Sequence, residues 1–263
     1  MNVNGDNLDS GGILRENENE RKDDQGLNRI EYNSGDVMYR YKLTNHKDTI
    51  MDCGYSVNSE YIASGGMDNI VNIYKNNTKK NKISLYETLN GPTQEIEFIK
   101  WHPKHNVLLA GSRDATLWMW EIKKSKNNKK NKKSKVLSVF AGHIGPILCG
   151  GFTSDNKHGY SGSEDGTIFI WDLKNSTSLY HLKSNYKQQN MFHTSEVTTM
   201  HHCYNHKKYP LLISGSIDGS MVLTNYKNGK ILKIFNHEKH KDSVESVLFS
   251  NKNSSSVYFA SAS

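Results

Sequence analysis

The chain has 263 residues, a formal net charge of +7 and 35% hydrophobic residues. No apolar run approaches the roughly 20 residues that cross a bilayer, so the sequence predicts no membrane span. Its three cysteines are odd in number and far apart, and no apolar segment typical of secretory signals opens the chain. This excludes a disulfide scaffold and predicts a cytoplasmic protein, with an additional nuclear pool as the open alternative.

Residues 1–35 differ in composition from the rest of the chain. They contain eight acidic and four basic residues and almost no aromatic ones. A segment with so little apolar surface to bury predicts a disordered, mildly acidic tail. The pattern then changes, and residues 37–43 alternate apolar and polar side chains as a β-strand does.

A frame of residues recurs after this strand, and its best copy lies at residues 142–172. It reads Gly-His, then Ser-Gly-Ser-Glu-Asp-Gly-Thr, then an alternating run that ends in Trp-Asp. In this copy, Asp165 lies 22 residues after His143. Ser161 lies four residues before Asp165, and Trp171 lies six residues after it.

The same spacing recurs through the chain. In the order His, Ser, Asp, Trp, the other copies select His46, Ser64, Asp68 and Tyr74; Pro92, Ala110, Asp114 and Trp120; and His193, Ser214, Asp218 and Thr224. A short insertion shifts the histidine of the fourth copy. A fifth copy begins at His240 and reaches Ser263, two residues before its aspartate would fall. Five copies of one residue spacing predict a chain built from repeats of one structural unit.

The frame resembles a blade of the WD-repeat β-propellers. Each blade in that family has four antiparallel strands, with a tight Asp-Gly or Asp-Asn turn between the second and third. The resemblance implies that the histidine holds the buried turn aspartate and also reaches the strand serine and the tryptophan indole. No segment has a sustained 3.6-residue period. The sequence therefore predicts an all-β WD-repeat propeller over residues 36–263, with four full blades and part of a fifth.

The length of the chain limits how complete this propeller is. The turn aspartates are 46, 51 and 53 residues apart, so four repeats and half of a fifth fill the chain. In closed propellers a leading strand such as residues 37–43 completes the last blade, which is not present here. An open ring leaves strand edges unpaired. We therefore expect a fragment of a seven- or eight-bladed ring; the alternative, a five-bladed ring, lacks the third strand of its last blade.

Two clusters resemble sites of other kinds. Ser161, His143 and Asp165 mimic a hydrolase triad, but their spacing recurs and no Gly-x-Ser-x-Gly elbow is present, so we predict no catalytic residue. A second cluster is rich in metal-binding side chains: His193, His201, His202, Cys203 and His206. Its spacing lacks the paired ligands of a structural zinc site, so we predict neither a metal site nor a cofactor.

The positive charge is concentrated in one segment. Residues 123–135 contain eight lysines, so the remainder of the chain carries a net charge of −1. By the frame, this segment joins the third and fourth strands of the second blade, at the end opposite the aspartate turns. No aromatic residue interleaves the lysines to stack on bases. We interpret it as a solvated loop insertion without direct nucleic-acid binding; an RNA-associated role is the alternative.

The second blade resembles one particular family of WD-repeat proteins. It contains Trp-His-Pro at residues 101–103, Leu-Leu-Ala-Gly at residues 108–111 and Trp-Met-Trp at residues 118–120. Together these elements resemble the angio-associated migratory cell protein family, over about residues 36–250. By alternation, Trp118 and Trp120 share one side of the strand, and we expect both to pack in the blade.

The family resemblance implies a binding role. Its members are propellers of seven or eight blades without enzymatic activity. A fungal relative is a chaperone that grips the basic N-terminal segment of a large-subunit ribosomal protein, and animal members act in cell migration. The resemblance thus implies a chaperone or assembly factor, with a scaffold in migration, signalling or trafficking complexes as the alternative.

Partner contacts in such propellers cluster on the face with the aspartate turns, just after the histidine and just before the turn aspartate. These positions are mostly acidic here: Asp48, Glu95, Glu164, Glu196 and Asp242, with Arg113 as the exception. We predict that this acidic face of a monomeric protein binds other proteins, in particular a basic ribosomal protein. Ordinary solvated loop acids are the alternative.

Overall fold

The computed structural model describes residues 21–22, 28–29, 42–80, 82–124, 134–184, 192–203, 210–235, 240–250 and 258–263. The chain divides into two compact units, residues 1–44 and 45–263. In the first unit, β1 (Arg21–Lys22) pairs antiparallel with β2 (Asn28–Arg29). The rest of the predicted acidic tail and residues 37–41 of the predicted leading strand lie outside the described residues.

The second unit is a series of antiparallel sheets. Blade 1 consists of β3 (Ile50–Tyr55), β4 (Tyr61–Gly66), β5 (Val71–Asn77) and β6 (Lys82–Leu89). Blade 2 consists of β7 (Ile96–Trp101), β8 (Val107–Ser112), β9 (Thr116–Glu121) and β10 (Lys135–Ala141). Blade 3 consists of β11 (Ile147–Phe152), β12 (His158–Ser163), β13 (Ile168–Asp172) and β14 (Thr177–Leu182). Blade 4 consists of β15 (Val197–His202), β16 (Leu211–Ser216), β17 (Met221–Asn225) and β18 (Lys230–Phe235).

Half-blade 5 has two paired strands, β19 (Ser246–Phe249) and β20 (Phe259–Ala262). The prediction of an all-β fold with four full blades and part of a fifth is therefore confirmed. The described helical structure is a single 3-10 turn at Thr78–Lys80. Within the described ranges, no helix is long and apolar enough to cross a membrane.

The blades pack on one another through apolar side chains and glycines. Four buried apolar clusters each draw residues from two consecutive sheets. A Cβ on Gly65 would lie 2.7 Å from Ile96, and one on Gly215 would lie 2.6 Å from Val244. The missing side chain therefore makes room for the next blade. Ile50, at the position of Ile96 in blade 1, is 47% exposed, because among the described residues no blade covers it.

The turn between the second and third strands has one backbone geometry in all four blades. The residue after each aspartate has positive φ: Asn69 (66°), Ala115 (66°), Gly166 (73°) and Gly219 (75°). In blade 3 this residue closes the turn by donating its amide to the Ser163 carbonyl at 3.1 Å. Glycine reaches this left-handed region without steric cost, and asparagine tolerates it. Ala115 is the exception, because its Cβ strains the turn.

Ala115→Gly should therefore raise the free energy of unfolding by about 0.5–1 kcal/mol, since the relief of the left-handed strain exceeds the added freedom of the unfolded chain. Urea denaturation measures this change. The reverse substitution at the matching position of blade 3, Gly166→Ala, should lower it by about 1 kcal/mol. A loss of stability in Ala115→Gly would contradict the strained turn.

Candidate functional site

Blade 3 contains a complete hydrogen-bonded chain of the four frame residues. His143 Nδ1 lies 3.0 Å from Asp165 Oδ2, and His143 Nε2 lies 2.9 Å from Ser161 Oγ. Trp171 Nε1 donates to the same hydroxyl at 2.9 Å. Ser161 is 0% exposed, so no substrate can reach its hydroxyl in this arrangement. The triad-like geometry therefore links two loops and a strand and does not present a nucleophile.

Blade 1 repeats this arrangement with a tyrosine at the tryptophan position. His46 Nδ1 lies 2.9 Å from Asp68 Oδ1, and His46 Nε2 lies 2.7 Å from Ser64 Oγ. Tyr74 is buried, and burial raises the pKa of its hydroxyl. The chain from the aspartate to the strand serine is thus present in blades 1 and 3.

Blade 2 has neither the histidine nor the serine and holds its turn aspartate by other groups. Asp114 accepts hydrogen bonds from the Thr93 amide at 2.7 Å and the Thr116 amide at 3.0 Å, and also from the Thr116 hydroxyl. Trp118 Nε1 donates to Thr116 Oγ1 at 2.8 Å and stacks on Trp120 at 5.6 Å. Trp118 therefore extends the chain to the aspartate, while Trp120, which the frame selects, is buried beside it.

Blade 4 corrects one detail of the frame. His193 does not contact Asp218 directly, because the Ser220 hydroxyl lies 2.7 Å from Nδ1, on the side where blades 1 and 3 place the aspartate. Ser214 Oγ lies 2.7 Å from Nε2, as the frame predicts. Asp218 accepts the Ser220 amide at 2.9 Å, so the serine joins the histidine to the turn.

One interaction is common to all four blades. A turn-aspartate oxygen accepts the amide of the residue that follows the histidine position: Lys47 at 2.9 Å, Thr93 at 2.7 Å, Ile144 at 3.0 Å and Thr194 at 2.6 Å. The aspartate thereby fastens the loop before the first strand to the turn between the second and third strands. We call this contact the aspartate clamp. Side-chain patterns do not reveal it, because every residue except proline supplies an amide.

The clamp changes the acidity of its carboxylates. Burial opposes ionisation of Asp165, but hydrogen bonds from His143, Thr167 and the Ile144 amide outweigh it and hold the pKa well below its usual value. Burial likewise opposes ionisation of Asp218, and its hydrogen bonds lower the pKa in the same way. These aspartates are therefore ionised at neutral pH.

Two histidines of the cluster rich in His and Cys lie at contacts between blades. His202 Nδ1 lies 3.3 Å from the Tyr160 hydroxyl, and the Phe249 amide donates to His201 Nδ1 at 3.1 Å. Burial lowers the pKa of His202 to about 3. His206 lies outside the described residues. In the part of the chain that the structure describes, no group of three or more His, Cys, Asp or Glu side chains is placed to hold a metal ion.

Four of the five predicted partner-binding acids lie in the clamp loops or next to a turn aspartate, and Asp242 lies in the equivalent loop of half-blade 5. We call this end of the blades the aspartate-turn face. Asp48 and Asp242 are exposed and accept hydrogen bonds from the amides that follow them, whereas Glu95, Glu164 and Glu196 are half-buried.

Glu164 is already engaged by a neighbouring blade. Arg113 Nη2 donates to Glu164 Oε1 at 2.9 Å, and Nη1 donates to Glu97 Oε1 at 2.9 Å. The arginine therefore neutralises part of the charge that the acids provide. Exposed Lys47 and Lys241 lie in the same loops, so the face is more mixed in charge than the five acids alone suggest.

The face also carries exposed apolar side chains, which charge-based reasoning missed. Ile144, after the histidine of blade 3, is 92% exposed. Met67 and Ile217, each just before a turn aspartate, are 44% and 43% exposed. The frame positions could have identified them, since partner contacts are expected at these places whatever the side chain.

The lysine-rich segment lies at the other end of blade 2. It joins β9 to β10, and residues 125–133 lie outside the described ranges. At its start, Tyr86 donates to the Lys123 carbonyl at 2.5 Å, and Lys124 Nζ lies 2.6 Å from Glu60 Oε2. These contacts fasten the base of the segment to blade 1.

Comparison with known sequences identifies the repeat. A family profile described as WD domain, G-beta repeat matches residues 38–75, 83–121 and 134–172. The angio-associated migratory cell protein of Pongo abelii is 29% identical over 198 residues, which is 75% of this chain and 40% of that protein. The Homo sapiens protein of the same name is 28% identical over the same shares.

A second relative matches a smaller part of this chain. WD repeat-containing protein 37 of Mus musculus is 28% identical over 137 residues, which is 52% of this chain and 25% of that protein. The chain thus spans about 40% of the length of the first relatives it matches.

Asp165→Ala should lower the free energy of unfolding by about 2–3 kcal/mol, because it removes the clamp and leaves His143 and the Ile144 amide without their acceptor. Asp242→Ala, which removes an exposed carboxylate from an equivalent loop, should change it by less than about 0.5 kcal/mol. Urea denaturation compares the two. Equal effects would show that the clamp does not stabilise the blade.

Lowering the pH from 7 to 4.5 should also lower the free energy of unfolding. Burial lowers the pKa of His193 to about 4, so between about pH 6.5 and 4 the unfolded chain binds a proton that the folded protein does not. His193→Gln should reduce this slope in urea denaturation at a series of pH values. The clamp aspartates add a further loss below about pH 4, because their folded pKa values are depressed. An unchanged slope in His193→Gln would contradict the buried neutral histidine.

Proposed function

Because the chain is a WD-repeat β-propeller protein that resembles the angio-associated migratory cell protein family, we propose that its aspartate-turn face binds a basic protein segment. The protein acts as a chaperone or assembly factor for a basic ribosomal protein of the large subunit in the cytoplasm, with an additional nuclear pool as the alternative. The observation that carries this proposal is that Glu95, Glu164 and Glu196 lie in loops and turns that the aspartate clamp joins. No catalytic step is proposed, because the triad-like serine is buried.

The clamp supports this function by fixing the loops that carry the acids. Glu95 and Glu196 each accept, at the backbone carbonyl, the amide of the residue before the turn aspartate, at 2.9 and 3.1 Å. Each acid is therefore tied to both the loop and the turn. A surface ordered before binding loses less conformational entropy when a partner docks.

Arg113 competes with a basic partner for two of the carboxylates. Its two ion pairs occupy Glu97 and Glu164, so a partner lysine or arginine must displace it to use these carboxylates. Within the described ranges, Glu95, Glu196 and Asp242 form no ion pair, so they are the acids that a basic segment reaches first.

A scaffold for migration, signalling or trafficking complexes is the second candidate. The exposed lysines of the face, Lys47 and Lys241, favour it because a surface of mixed charge also accommodates partners that are not basic. The names of the first relatives refer to cell migration. Binding of a purely basic peptide distinguishes the two candidates.

Glu196→Lys should weaken binding of a Lys/Arg-rich peptide of about 20 residues roughly fivefold at low salt, mainly through slower association. Glu95→Lys combined with it should weaken binding further. The matched control is Glu121→Lys, which makes the same charge change at the opposite end of blade 2, and it should alter affinity less than twofold. Surface plasmon resonance measures both rates.

Arg113→Ala should strengthen the same binding about threefold, because it frees two carboxylates. Its effect should disappear when Glu97 and Glu164 are both changed to Gln. Unchanged affinity in Glu95→Lys/Glu196→Lys would reject the basic-segment function and leave the scaffold as the better account.

A further inference from the structure

Ile144 is the most exposed of the large apolar side chains in the described ranges. It is 92% exposed, whereas the other exposed ones lie between 39% and 64%. Single exposed apolar residues are common on protein surfaces. Ile144 differs because of where it lies and how firmly its backbone is held.

The backbone of Ile144 is fixed on both sides. Its amide donates to Asp165 Oδ2 at 3.0 Å, and the preceding His143 side chain is buried against the same carboxylate. A Cβ on Gly145, the next residue, would lie 3.2 Å from the Asp165 amide nitrogen, so this loop packs directly on the turn. The aspartate clamp thus holds the loop while the isoleucine side chain stays in solvent.

Charged side chains lie next to this loop. The Glu164 amide donates to the Pro146 carbonyl at 2.9 Å, which places Glu164 beside the loop that carries Ile144. Arg113 approaches the same glutamate from blade 2. An apolar side chain is therefore presented beside a carboxylate that a basic partner can use by displacing Arg113.

We propose that Ile144 is the apolar anchor of the aspartate-turn face, and that the segment bound there carries a large aliphatic side chain next to lysine or arginine. The proposal rests on the proposed function and specifies its partner. An apolar side chain on a backbone that is already held loses less conformational entropy on binding than one on a loop that must first be ordered. Glu164, beside the same loop, favours a basic neighbour in the partner that displaces Arg113 from it.

Charge favours this occupant over two others. A symmetric contact with a second copy would bring together two faces on which the five predicted acids outnumber Arg113, Lys47 and Lys241. An anionic lipid surface would meet the same acids, which oppose its charge. A basic, partly apolar protein segment satisfies both the isoleucine and the carboxylates.

Two peptides of equal length and charge test the anchor. In one, lysine alternates with serine; in the other, lysine alternates with leucine. The protein should bind the lysine-leucine peptide about tenfold more tightly. This difference should persist in about 0.5 M salt, because salt at this concentration screens charges but does not weaken apolar contacts. Ile144→Ser should abolish the difference and leave the affinity for the lysine-serine peptide unchanged.

The matched control is Leu232→Ser, which removes a side chain that is 47% exposed on β18 of blade 4. It should leave the affinity for both peptides unchanged. Because Ile144 is exposed, Ile144→Ser should keep the urea midpoint of the wild type, so a loss of binding cannot come from unfolding.

The outcomes separate the anchor from the proposed function. If Ile144→Ser retains the preference for the lysine-leucine peptide, the anchor is overturned while binding of the lysine-serine peptide still supports the function. If the wild type binds neither peptide, both fail. If Ile144→Ser instead reduces self-association in sedimentation velocity, the isoleucine contacts a second copy and the anchor is likewise overturned.

Discussion

The contact between each turn aspartate and a loop amide is the interaction on which the rest of the second unit depends. It joins two chain segments about 21 residues apart, as in Asp68 with the Lys47 amide, and it is present in every complete blade. Blade 2 retains it without a histidine, and blade 4 retains it with Ser220 between ring and carboxylate. The histidine is thus one of several groups that support the aspartate, whereas the hydrogen bond from the loop amide to the aspartate is common to all four blades.

The clamp also connects neighbouring blades. Asn69, in the turn of blade 1, donates its side-chain amide to the Thr93 carbonyl in the loop of blade 2 at 3.2 Å. A Cβ on Gly166 would lie 3.1 Å from the Ser195 carbonyl oxygen of blade 4. In these two pairs of blades, a clamped turn therefore lies against the clamped loop of the next blade. These contacts join neighbouring blades through backbone groups, so the exposed side chains of the aspartate-turn face can vary without changing the frame.

This separation of frame and surface explains how one architecture carries different partners. Buried groups, such as the Ser161 hydroxyl with its histidine and tryptophan, are set by hydrogen-bond geometry and tolerate few replacements. Exposed groups at neighbouring positions differ from blade to blade, from Met67 to Arg113 to Ile217. A serine–histidine–aspartate geometry that would indicate catalysis in an open cleft has a structural role here because no solvent reaches the hydroxyl.

The strands, the turns and the repeat could be predicted from the sequence, because these features depend on alternation and on residues within one blade. His143, Ser161, Asp165 and Trp171 could be assigned to one unit from spacing alone. Which surface charges remain unpaired depends on tertiary contacts. Only the packing of blade 2 on blade 3 brings Arg113 to Glu164, 51 residues away, and neutralises an acid that composition counts as free. Such contacts depend on the angle between blades, which no local pattern encodes.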